Sequence, residues 1–373
     1  MRWRCGATDL RGNSALWIGA ALVAALILSL NAGALAAVIW RAGGWPRLGP
    51  ADMAALRFTL VQAAWSAVLS VALAVPLARA LARRRFAGRA ALVVLLGAPF
   101  LLPSLVAVAG LLAVFGRAGW VNAALGSLGL PPVSIYGLHG VVIAHVFFNL
   151  PLAARLILQG WTRIPGEHLR LGASLGFGGW ARFRHIELPM LAQVLPGALA
   201  LVFVLCLTSF AVALTLGGGP RATTLELAIY QAFRFDFDLG RAAGLALVQS
   251  ALGLGALVVL GRITAPVQAQ AGFGRPHPAP PGLALAGWDM VVIGAGAAFV
   301  ALPLLAVALR GLPALGELPP QVWVAAAHSL RVAGLSVVLL ALMSALLTWA
   351  ALRLRWAETL GLSALIASPL VIG

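Results

Sequence analysis

The chain has 373 residues, 62% of them hydrophobic and only 10% charged. A water-soluble domain carries about a quarter charged residues, so a soluble enzyme or binding module of this size is excluded. The formal net charge of +16 comes from 26 basic residues, all of them arginine. They sit between apolar blocks rather than along one face. With no zinc spacing, RNA-binding signature or basic helix interleaved with aromatics, nucleic acid is not an expected partner.

The apolar residues fall into blocks at 15–40, 56–79, 91–115, 138–158, 190–216, 239–260, 285–309 and 322–352, and a ninth begins near Leu360. Each is near the roughly 20 residues that a bilayer-spanning helix needs. In lipid, helices that satisfy their own backbone groups are the economical solution, so the spacing predicts an all-α polytopic membrane protein bathed in membrane lipid. The first block follows Arg2, Arg4 and Arg11, and Ala34-Leu35-Ala36 resembles a signal cleavage site. Its apolar run is longer than a signal core, so it is read as the first span. Cys5 and Cys206 lie far apart, one in the N-terminal tail and one inside an apolar block, and predict neither a disulfide nor a metal site.

Segments between spans alternate in arginine content, 17 on the side of the N-terminal tail against 8 on the other. The positive-inside rule then predicts a cytoplasmic N-terminus in a bacterial inner membrane. A shift of 270 residues lays 58–86 over 328–356 without a gap, pairing Ser66 with Ser336, Arg83 with Arg353 and Arg85 with Arg355. The same shift carries Pro99 onto Pro369 and the first block onto the seventh. An even number of spans per repeat means a parallel tandem repeat about an axis along the membrane normal. The expected organisation is a first unit of about six spans at 1–261, a Pro/Gly-rich linker at 262–284, and the start of a second unit at 285–373, expected to continue past Gly373.

Polar residues inside the spans are few. His145 and Asn149 are four apart on one helical face; they either line a pore or bond neighbouring helices. Asn149-Leu150-Pro151 is a candidate helix break. Arg155 is near a span end, where it can snorkel. Thr208 and Ser209 can bond a neighbouring helix or their own carbonyls, and neither is assigned a transport role. In the external segment 217–240, the Gly-rich run Gly217–Gly219 is not followed by Lys-Ser/Thr, so it is not a nucleotide loop. It reads as a turn and a short interfacial helix carrying Tyr230, Phe233, Phe235 and Phe237, with Asp236 and Asp238 either solvated or available to a docking protein.

The most informative segment is the inside loop 161–189, WTRIPGEHLRLGASLGFGGWARFRHIELP. Pro165 and Glu167 suit a helix start, Leu169 and Ala173 mark an apolar stripe, and Gly176 to Gly179 permit a bend. Trp180, Phe183 and Ile186 follow at helical spacing, and Pro189 restarts the chain into the next span. A connection between two spans needs only a few residues. One this long and patterned, with no core of its own, predicts a docking surface.

Gly176, followed after nine residues by Ile186-x-Leu188-Pro189, resembles the "EAA" loop of the permeases of ABC importers. The resemblance implies a type I ABC importer permease fold, and makes Glu167, Arg170, Ala173, Gly176, Ile186, Leu188 and Pro189 the loop that couples to a cytoplasmic ABC ATPase dimer. The motif's leading glutamate position holds Arg170, with Leu171 and Gly172 where alanines are usual, and Glu167, three residues earlier, is the candidate substitute for the missing acid. Residues 145–159 and 216–243 resemble the thiamine permeases within that family. That implies inward transport of thiamine or its phosphates, delivery by a periplasmic substrate-binding protein, and no cofactor or catalysis in this chain. The ferric-iron permeases share the fused architecture and are the alternative. A secondary transporter would need coupling ions, against which the patterned loop and the scarcity of intramembrane carboxylates both argue.

Overall fold

The computed structural model describes residues 14–42, 48–162, 164–217, 219, 222–263 and 283–351, and the regular structure among them is helical. In chain order the helices are α1 (Ser14–Ala42), α2 (Pro50–Arg83), α3 (Arg89–Leu95), α4 (Ala98–Leu101), α5 (Ser104–Phe115), α6 (Trp120–Ser127), α7 (Leu138–Thr162), α8 (Gly166–Ser174) and α9 (Gly179–Arg182). A π-helical turn at Phe183–Glu187 leads into α10 (Leu188–Leu191), α11 (Leu195–Leu207), α12 (Phe210–Leu216), α13 (Leu225–Arg234), α14 (Leu239–Ile263), α15 (Leu283–Ala314) and α16 (Pro320–Ala351). The ninth apolar block, Cys5 and residues 264–282 of the linker lie outside the described residues.

Seven helical stretches among these residues are long and apolar enough to cross a bilayer, and a pair bent by 59° can supply an eighth crossing. Two of the apolar blocks are not single helices. The third is divided among α3, α4 and α5 at Gly97 and at Leu102-Pro103. Leu102 is extended (ψ 142°), as a residue before proline prefers, and α5 starts afresh at Ser104, so the crossing runs from there to Ser127. The fifth is broken twice, at 192–194 and at Thr208–Ser209. In contrast, α7 passes through Pro151 without a break.

The centre of the molecule is the α2–α7 pair, with α11 laid across it. Bilayer tails are as apolar as the side chains they contact, so helices associate through close packing and polar contacts rather than hydrophobic expulsion. The sequence of α2 meets that requirement with a stripe of small residues, Ala63, Ala67, Ala74 and Ala78, each fully buried. Val142, Val146, Leu150 and Ile157 of α7 and Val202 of α11 join the same core. α15 packs on α5 and α2. At Gly110 in α5, a Cβ would lie 2.5 Å from the carbonyl oxygen of Pro303, so only glycine lets these backbones approach. By contrast α16 is exposed along most of its apolar length. The sequence offset recurs in the helix starts, since α2 begins at Pro50 and α16 at Pro320.

Candidate functional site

The connection from α7 to α11 is a folded unit, not a tether. α8 is capped by Pro165 and ends in a glycine turn. The Gly176 N–H donates to Ala173 O (3.1 Å) and the Phe177 N–H to Gly172 O (2.9 Å), the paired bonds of a Schellman motif. Gly176 sits at φ +71°, in the left-handed region that the motif requires. After Gly178, α9 continues through the π-helical turn into α10. Pro189 therefore does not restart the chain, as its sequence context suggests. The widened turn, with Leu188 N–H donating to Phe183 O, accommodates a residue that lacks an N–H. The bend falls three residues later, at 192–194, just before Pro196 in the first turn of α11.

Two contacts fix this unit. At Gly172 a Cβ would lie 2.5 Å from Ile186 Cδ1, so α8 rests directly on the π-helical turn through a residue with no side chain. Glu187, 2% exposed, is the second. Its Oε2 accepts from Arg79 Nε at 2.7 Å and its Oε1 from Arg182 Nε at 3.0 Å. Arg79 also donates from Nη2 to the Gly179 carbonyl (2.9 Å) and lies 4.6 Å over the Phe183 ring. Arg79 belongs to α2, so the loop is clamped to the end of the central helix pair. Hydrogen bonds between charged partners are about twice as strong as neutral ones.

The residues singled out from sequence divide accordingly. Glu167 and Arg170 pair with each other at 3.5 Å on the exposed face of α8, beside exposed Ala173. Leu188 and Pro189 are exposed as well, whereas Ile186 is half-buried against Gly172. Leu171, Leu175 and Trp180 add an exposed apolar surface around the glycine turn. Sequence reading missed Gly172, Arg79, Arg182 and above all Glu187. The one available signal was an acid next to the Leu-Pro pair in a loop otherwise rich in arginine.

The second polar centre lies within the spans, at the break between α11 and α12. Thr208 and Ser209 have non-helical backbones (ψ 66° and 71°), which frees the last carbonyls of α11. Side-chain amides from two other helices take them up. Gln62 of α2 donates to Cys206 O at 2.8 Å, and Gln249 of α14 donates to Leu207 O at 3.0 Å. His145 bridges the same region, its Nδ1 hydrogen-bonded with Ser66 Oγ at 3.1 Å and its Nε2 with Ser209 Oγ. Asn149 donates to His145 O at 2.9 Å and to Cys206 Sγ at 3.4 Å. His145 and Asn149 thus hold helices together, and both also border a cavity at the break. Arg155 is exposed and leaves this centre for the turn at Gly97.

On the opposite face of the protein from the α8 loop, Arg241 binds Asp52 of α2 (2.8 Å) and Asp236 (2.9 Å), while Asp238 accepts from the Arg241 N–H. Phe233, Phe235 and Phe237 are exposed there. α13 is capped by Thr224, and Thr59 of α2 accepts from the Leu225 N–H at 2.9 Å. Burial pushes the Glu226 carboxyl, in the first turn of α13, up from its ordinary 4.5 to about 7. The folded chain then keeps a proton that the unfolded chain has released, so stability falls as pH rises from about 4.5 to about 7. Glu226→Gln should flatten that slope. Thermal melts of the detergent-solubilised protein across this range check it, and an unchanged slope in the variant assigns the titration to another group.

A family described as "Binding-protein-dependent transport system inner membrane component" matches residues 70–268. Two permeases called "Thiamine transport system permease protein ThiP" are similar along most of the chain. That of Brucella abortus (strain 2308) is 43% identical over 91% of this chain and 64% of its own length. That of Escherichia coli (strain K12) is 44% identical over 80% of this chain and 57% of its own. The "Molybdenum transport system permease protein ModB" of Mycobacterium bovis is 33% identical over 58% of this chain and 83% of its own length. The chain therefore belongs to the family of inner-membrane components of binding-protein-dependent transport systems, and it spans under two thirds of the length of the thiamine permeases it matches. The fold agrees. A crystal structure of a bacterial ABC transporter involved in import of the polysaccharide alginate superposes with a TM-score of 0.54 at 15% identity, covering 70% of this chain and 98% of that one.

Proposed function

We propose that the chain is the permease component of an ABC importer that carries thiamine, free or phosphorylated, inward across the bacterial inner membrane. The observation that carries this reading is 42–44% identity, over 80–93% of the chain, to permeases named for thiamine transport. The geometry of the α8–α10 unit supports the coupling role. Its outer face offers Glu167, Arg170 and Ala173 with Leu171, Leu175 and Trp180 beside them, and its inner face is clamped to α2 through Glu187. A surface that is both exposed and rigidly tied to a membrane helix suits an ATPase dimer that pushes on it from the cytosol. Arginine bias supports a cytoplasmic side for this face and the N-terminus. A periplasmic substrate-binding protein then delivers at the face carrying Arg241 and Asp236. ATP hydrolysis belongs to the separate subunits.

The test is growth. The complete transporter, supplied to a thiamine-requiring bacterium that lacks its own thiamine permease, should restore growth on low thiamine. Rescue of an iron-uptake mutant instead, with none on thiamine, would turn the assignment to the ferric-iron class. Cysteines placed at Ala173 and in the ATPase cleft should crosslink in the same cells, and absence of that adduct would remove the docking role from α8.

A further inference from the structure

Beside the break between α11 and α12 lies a cavity of about 410 Å³ that other spans help to wall. Three aromatic rings line it, Phe100 of α4, Phe148 of α7 and Phe210 of α12. The polar groups between them are Ser104, His145, Asn149, Thr208 and Ser209. The Nδ2 of Asn149 is committed to His145 O and Cys206 Sγ, which leaves its carbonyl oxygen as the group it can offer. His145 has both ring nitrogens engaged by serines. Among the described residues no arginine, aspartate or glutamate lines the cavity.

That inventory selects by charge and shape. Aromatic faces attract cations through their quadrupoles, Phe more weakly than Trp. An oxyanion needs cationic side chains or converging N–H groups, and a hard metal ion needs carboxylate or carbonyl ligands in number. The lining residues provide neither set. A heteroaromatic cation that also carries an amino donor fits both the rings and the spare amide oxygen. The lack of a carboxylate counter-charge also suits passage, since a transit site must bind weakly enough to release.

We propose that this cavity is a membrane-stage binding site for a heteroaromatic cation, which lies against the rings of Phe100, Phe148 and Phe210 and donates from an amino group to Asn149 Oδ1. The proposal rests on the thiamine reading above and adds the residues that would meet the cation after it leaves the binding protein.

Charge substitution at Ser104, an exposed position on the cavity wall, tests it, together with ring removal at Phe100, which is 60% exposed. The complete transporter is reconstituted in liposomes with saturating binding protein, and uptake of labelled thiamine is measured beside basal ATP hydrolysis. Ser104→Arg should slow uptake about tenfold and Ser104→Asp should leave it within about twofold, the cation being repelled in one case only. Phe100→Leu should slow uptake several-fold and Phe100→Tyr should restore it, because the ring and not the volume is what counts. Uptake is normalised to the basal ATP hydrolysis of the same liposomes, so that a loss of assembled transporter is not counted as a loss of passage. Equal effects of arginine and aspartate, or equal effects of leucine and tyrosine, would overturn the cavity assignment while thiamine uptake by the unaltered transporter still stands. No thiamine uptake by the unaltered transporter removes the functional reading itself.

Discussion

Replacing Glu187 with alanine is expected to uncouple the transporter, lowering substrate uptake about tenfold or more while the protein still inserts and the ATPase still turns over. The reasoning starts from what the carboxylate holds. Each of its oxygens accepts from a different guanidinium, one on α2 and one on α9, and Glu187 itself is 2% exposed. Removing one partner of a buried ion pair costs about 3–5 kcal/mol, because the charges left behind have lost their counter-ion. Arg79 and Arg182 are 20% and 14% exposed, so water recovers part of that and the lower end applies. The seven or so membrane crossings do not depend on this cluster, so insertion should survive. On the proposed coupling role, what is lost is the rigid link through which a push on α8 would reach α2. Glu187→Gln keeps an acceptor for one arginine and should fall between. Arg79→Lys should also uncouple, since lysine cannot bond Glu187 and the Gly179 carbonyl with one fork. The discriminating measurement is stimulation of ATP hydrolysis by loaded binding protein, taken with uptake in the same liposomes. Normal stimulation and normal uptake in Glu187→Ala would mean that the loop transmits force by another route.

The sequence disclosed the spans because the property that puts a helix in lipid is a run of apolar residues, and that is local. It disclosed the loop because Gly176 and the Ile186-x-Leu188-Pro189 signature are local too. The third block was read through as one helix although Gly97, Pro99 and Pro103 all stood in it; hydropathy is blind to backbone geometry, and their message was the correct one. The break at Thr208–Ser209 gave no such warning. Neither residue is a proline or glycine, and the bonds that stabilise the break come from Gln62, 144 positions upstream, and from Gln249, 42 positions downstream of its acceptor. A helix end capped from distant helices has no signature in its own sequence. Glu187 was hidden for the same reason. In the chain it looks like one more solvated charge, and only folding brings Arg79, 108 residues away, against it.

Gly176 yields the second large effect, and the structure changes what should be measured there. The natural expectation is that bulk at this position blocks docking. Yet no atom lies within 4 Å of the place a Cβ would take, so bulk meets open space. The constraint is the dihedral angle. At φ +71° an ordinary L-residue pays about 1–2 kcal/mol, a β-branched one more, and asparagine least. That cost falls on the two bonds that close α8, from the Gly176 and Phe177 N–H groups to Ala173 and Gly172. Loosening them lets α8 swing away from the π-helical turn it rests on. Gly176→Val should therefore reduce thiamine uptake about tenfold and raise the ATP consumed per molecule transported. Gly176→Ala should be milder, and Gly176→Asn should be nearly silent despite being larger than alanine. Transport stoichiometry in liposomes ranks the three. If the losses follow side-chain volume, with asparagine worse than alanine, then the position touches the ATPase directly and the turn is not what matters. If they follow backbone tolerance, the glycine is there to hold a helix end at the angle from which α8 can be pushed.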